Sequence, residues 1–66
     1  MNYYFTQQQR DDLAFFQEDY RHSSRQAFAY LLAYLETNDP YFKRMTIFYQ
    51  RDAANDYFQI QSIRGY

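Results

Sequence analysis

Thr37-Asn38-Asp39-Pro40 divides this chain of 66 residues, and the reading of the stretches on either side of it decides the fold. A residue preceding proline is driven out of the α region, and Asn accepts the left-handed conformation that closes a helix, so this tetrapeptide reads as a helix end. Upstream of it, Ser23-Ser24-Arg25-Gln26 has the form of a capping box, which predicts a helix over about Ser24 to Thr37. Downstream, Arg44-Met45-Thr46-Ile47-Phe48-Tyr49-Gln50 and Tyr57-Phe58-Gln59-Ile60-Gln61-Ser62-Ile63 are rich in β-branched and aromatic residues. They are separated by Arg51-Asp52-Ala53-Ala54-Asn55-Asp56, whose Asp and Asn favour a turn, and the pattern predicts a β-hairpin.

Thr6-Gln7-Gln8-Gln9 offers a second capping box, from which a first helix runs to about Tyr20 with Leu13, Phe16 and Tyr20 along one face. Arg21-His22 is then a tight connection between two helices. The predicted fold is α+β: two antiparallel helices followed by a C-terminal β-hairpin. Tyr3 and Phe5, alternating with Asn2 and Tyr4, leave room for a short N-terminal strand. One small domain over residues 1–66 is expected, because a second core would have nothing to bury.

A compact chain of this mass exposes about 4,500 Å² when folded against about 11,900 Å² unfolded, a small margin for a hydrophobic core. There is no Cys for a disulfide or thiolate metal site, so dense aromatic packing, self-association or a partner must supply the rest. Seven Phe and nine Tyr with one Gly and one Pro are the composition of a folding chain rather than a disordered one. No apolar run reaches the length of a membrane span, and Met1-Asn2-Tyr3-Tyr4-Phe5 lacks the basic and apolar segments of a signal peptide, so a cytoplasmic protein without a membrane partner is expected. A net charge of −1 argues against non-specific nucleic-acid binding. The charge is uneven. Arg10, Arg21 and Arg25 are outnumbered by Asp11, Asp12, Glu18, Asp19, Glu36 and Asp39, whereas Lys43, Arg44, Arg51 and Arg64 outnumber Asp52 and Asp56.

The second predicted helix is the most informative. Phe28, Leu31, Leu32 and Leu35 make a core stripe, yet Ala27, Tyr30 and Tyr34 fall toward the far side, so the helix is apolar nearly all round. Either the hairpin and the first helix cover both sides, or Ala27, Tyr30 and Tyr34 form a dimer interface, since Tyr combines a large contact area with a polar tip. On the first helix, Phe15 projects among Asp11, Asp12, Glu18 and Asp19, a combination suited to a basic protein partner. The hairpin cations could stack single-stranded bases, but their charge density is low and an ordinary solvated strand edge with protective cations is the better account.

Catalysis is not expected. His22 is the only imidazole, Ser23 and Ser24 are explained by capping, and Gly65 alone cannot build a phosphate loop. Asp11 and Glu18 lie two turns apart, and no His or Cys joins them as a transition-metal ligand set, so no metal or cofactor is expected.

Asn2 to Thr6, followed by two capped helices joined through Arg21-His22-Ser23-Ser24-Arg25, resembles the ribbon-helix-helix family of dimeric DNA-binding repressors over about residues 2 to 37. The resemblance implies a paired strand presenting Asn2, Tyr4 and Thr6 to the major groove, with Ser23 and Ser24 holding phosphates. In composition the chain also resembles the stand-alone inhibitors of phages and other mobile elements, including anti-restriction and anti-CRISPR proteins. The preferred expectation is a homodimeric, non-enzymatic module that occludes a surface of another protein, with the DNA-binding regulator as the alternative.

Overall fold

The computed structural model describes residues 5–65. Two helices account for nearly all of them: α1, Gln7–Thr37, and α2, Pro40–Arg64. They pack antiparallel into a rod with extents of 48 × 16 × 15 Å, and 31 residues at about 1.5 Å rise account for its length. No helix is long and apolar enough to cross a membrane.

The ends of α1 follow local chemistry. The Thr6 hydroxyl accepts from the Gln9 amide at 3.1 Å, and the Gln9 side chain accepts from the Thr6 amide at 2.8 Å, so the expected capping box is present. Asn38 closes the helix in the left-handed region at φ 56°, as the tetrapeptide predicts. Two residues suffice to reverse the chain, because Asp39 and Pro40 at once start α2. The Asp39 carboxylate caps the Tyr41 amide at 2.9 Å, and proline occupies a first-turn position where its missing N–H costs nothing. Gly65 ends α2 at φ 87°, its amide donating to Gln61 and Ser62 carbonyls.

The α+β expectation is overturned. Residues 44–50 and 57–63, predicted as strands, and the predicted turn 51–56 are consecutive turns of α2, and no strand occurs among the described residues. Pro40 was read as a stop and acts as a start; from there to Arg64 no further Pro or Gly interrupts the helix, and Ala53-Ala54 are strong helix formers. The predicted break at Arg21-His22 is absent for the same reason, since Gln7 to Thr37 contains neither Gly nor Pro. Ser23 does not cap a helix. Its hydroxyl donates across the hairpin to the Asp52 carboxylate.

The periodicity that matters alternates three and four. Leu13, Phe16, Tyr20, Ser23, Ala27, Tyr30 and Tyr34 form one series, and Phe42, Thr46, Tyr49, Ala53, Asp56, Ile60 and Ile63 the other. Every buried side chain among the described residues belongs to them: Ser23, Ala27, Thr46, Ala53, Asp56 and Ile60. Small residues occupy the middle of this seam, which brings the helices close enough for Ser23 to reach Asp52 directly. Near the connection the seam is aromatic: Tyr30 stacks on Tyr49 with centroids 5.7 Å apart and planes at 8°, and meets Phe42 and Tyr41 at 6.1 and 6.4 Å. The hydroxyls of Tyr41 and Tyr49 beside it hold the Tyr30 phenol above its ordinary range, Tyr41 being the larger influence. Toward the other end Tyr20 meets Tyr57 at 6.3 Å.

Candidate functional site

A two-helix seam covers one stripe of each helix and leaves two flanks, and these differ in chemistry. On the first flank an open groove is lined by Tyr20, Ser24, Ala27, Phe28 and Leu31 of α1 and by Gln50, Ala53, Ala54 and Tyr57 of α2. No charged side chain lines it. By seven-residue steps Leu35 and Ile47 extend the same stripe along the rod, and Arg21, Lys43 and Arg64 stand on it beyond the groove. Phe28, Leu35 and Tyr57 are 61%, 66% and 55% exposed. The predicted core stripe of Phe28, Leu31, Leu32 and Leu35 therefore lies open to solvent.

The residues expected at a dimer interface are placed differently. Ala27 is buried and Tyr30, half-buried, packs against Tyr41, Phe42 and Tyr49 of α2 of the same chain, while Tyr34 is half-buried at the next position of the same series. A 3.6-residue wheel drawn for an isolated helix sets the leucines inward, whereas a continuous helix pairing along its length selects the row containing Ser23 and Ala27.

Of the expected partner-binding residues, Asp11 and Asp12 accept from Gln7 and Gln8 one turn earlier, at 2.9 and 2.8 Å. Phe15 is 63% exposed, with its ring edge-on to Phe16 at 5.3 Å. Glu18 is exposed and pairs with Arg21 at 3.6 Å. Asp19 departs from this group and turns toward α2. In the resemblance to the ribbon-helix-helix family, Asn2 and Tyr4 lie outside the described residues, Thr6 caps α1, and Ser23 and Ser24 lie in mid-helix, where they present no helix N-terminus to a phosphate.

On the second flank Asp19 of α1 meets Asp52 and Asp56 of α2, one carboxylate oxygen of each lying within 4.8 Å of the others. Asp52 accepts from the Ser23 hydroxyl. Asp56 is 2% exposed and its Oδ2 has no hydrogen-bond partner. Burial first, then the neighbouring Asp19 carboxylate and the charge of Asp52, push the Asp56 carboxyl up to about 7. Asp19 moves the other way, held below the ordinary carboxylate range by hydrogen bonding to Asp56 and Asp52. Titration of these carboxylates therefore belongs to the group rather than to any one of them. The sequence paired Asp11 with Glu18 and missed this group, because Asp19 is 33 positions or more from its partners and only the fold-back joins them. The available signal was two i,i+4 pairs, Asp19/Ser23 and Asp52/Asp56, on the seam-facing side of their helices.

No protein-family model matches the sequence, and no curated protein and no solved structure is significantly similar to it.

Proposed function

We propose that this chain is a non-enzymatic association module that pairs with a second copy of itself through the flank bearing the uncharged groove, giving an antiparallel four-helix bundle. The observation that carries the reading is the inverted burial of α1: Phe28, Leu31, Leu32 and Leu35 lie outside while Ser23 and Ala27 lie inside.

A second copy fits this flank better than a charged target does. The groove lining itself carries no charge, and at a net charge of −1 the two copies repel only weakly. Amphipathic helices with apolar residues at seam and flank positions are the usual material of such bundles. The opposite flank, bearing Phe15 beside Asp12, remains available in the pair for a basic protein surface, in keeping with an occluding role.

Sedimentation equilibrium over a range of concentrations tests the reading. The wild type is expected at twice 8.2 kDa. Phe28→Glu combined with Leu31→Glu is expected at the monomer mass with its helical circular dichroism retained, and Phe15→Ala at the dimer mass. A wild type that stays monomeric at about 100 μM, a concentration at which even μM-class interfaces are formed, overturns the reading.

A further inference from the structure

The carboxylate flank carries a separate inference, independent of self-association. Asp19 and Ser23 stand one helical turn apart on α1, and Asp52 and Asp56 one turn apart on α2, so four oxygen-bearing side chains converge from two helices. A group of acids is ordinary on a protein surface. The unusual member is Asp56: it is 2% exposed, it reaches within 4.8 Å of both other carboxylates, and its inaccessible Oδ2 has no partner. A buried acceptor left without a donor costs free energy, and a carboxylate facing two more costs further unless something positive stands among them. Among the described residues the ion pair is Arg21 with Glu18, and no Lys or Arg side chain is bridged to the cluster.

Donor chemistry and spacing limit what could fill that role. Three carboxylates and a hydroxyl are hard oxygen ligands, with no thiolate or imidazole among them, which suits alkaline-earth ions over softer metals. Mg²⁺ dehydrates reluctantly and is usually held through one or two carboxylates, whereas Ca²⁺ takes several protein oxygens in flexible geometry, so three converging carboxylates suit the larger ion. One oxygen of each carboxylate lies within 4.8 Å of the others, close enough for all three to reach one such ion. We propose that Asp19, Asp52 and Asp56 bind a divalent cation of Ca²⁺ size, with the Ser23 hydroxyl orienting Asp52, and that the ion joins α1 to α2 at mid-rod. It would offset the charge gathered around Asp56 and draw together elements held otherwise by small side chains.

The test is calorimetric titration of chelator-treated protein at pH 7.5 with CaCl₂, MgCl₂ and MnCl₂ separately, alongside thermal melts. Expected are one saturable Ca²⁺ site per chain, at least tenfold tighter than Mg²⁺, and a melting temperature raised by roughly 5–10 °C at ten times the dissociation constant. Asp52→Asn and Asp56→Asn should each weaken binding tenfold or more, while Asp11→Asn, outside the cluster, leaves it unchanged. Should Asp56→Asn fail to fold, Asp52→Asn decides the assignment. Absence of saturable Ca²⁺ binding up to about 10 mM, the weak end of protein Ca²⁺ sites, overturns the proposal. So does equal weakening by Asp11→Asn, which would mark diffuse attraction to an acidic surface. Mg²⁺ binding as tightly as Ca²⁺ overturns the size assignment.

Discussion

The two flanks of this hairpin are built on the same helices, yet one holds an uncharged groove and the other gathers three carboxylates. On the groove flank the side chains are Phe28, Leu31 and Tyr57 around Ser24 and Ala54, with their polar atoms free to reach water. On the carboxylate flank Asp56 is carried into the seam and Asp19 and Asp52 close over it. The difference shows that a two-helix seam does not distribute polarity by inside and outside alone. The middle of the seam is chosen for small size, so hydroxyls and a carboxylate enter it, and the bulky apolar residues are displaced to a flank.

Breaking the groove flank should give the largest effect. With two central side chains each worth about 2 kcal/mol or more at a packed interface, Phe28→Glu with Leu31→Glu should weaken self-association about a thousandfold, read from concentration-dependent sedimentation. Within the seam, Ile60→Ala should lower stability by about 2–4 kcal/mol in urea melts, because Ile60 is the largest buried aliphatic side chain.

The carboxylate flank gives a smaller effect of opposite sign. The Asp56 carboxyl is raised to about 7 from an unfolded value of 3.8, so between those values the native state holds the extra proton and stability falls as pH rises. In cation-free buffer Asp56→Asn should flatten that fall and leave the variant about 1–3 kcal/mol more stable than the wild type at pH 8, a gain that vanishes near pH 4. Asp19, shifted down, contributes stability above its unfolded value that is lost only on further acidification. Denaturant melts at several pH values check both. Smallest of all, Glu18→Gln removes an exposed pair with Arg21 and should change stability by no more than about 0.5 kcal/mol.

Parts of this arrangement were legible in advance. Thr6 with Gln9 and Asn38 with its left-handed conformation acted as their residue types predict, because caps depend on three or four neighbouring residues. Ser23 misled for a matching reason: its capping chemistry is real, but a donor in mid-helix answers to whatever acceptor the opposite helix brings, here Asp52. Thr46 and Ile47 suggested a strand, yet the Thr46 hydroxyl is satisfied by the Phe42 carbonyl one turn back at 2.8 Å and the helix runs on. Asp19, Asp52 and Asp56 could not be grouped by inspection, since their proximity is made by antiparallel pairing and by nothing in their local spacing.

The amino-acid order alone determined the capped ends at Thr6 and Asn38, through steric and hydrogen-bonding preferences that act within a turn, but not that the helices continue through Arg21-His22 and through 51–56. Tertiary structure alone decided which stripe of each helix became the inside. Two helices have only one contact line to fill, and close approach along it favours Ser23, Ala27, Thr46 and Ala53 over the leucines. That selection put Tyr30 against its own chain, left the leucines open, and brought three distant aspartates together.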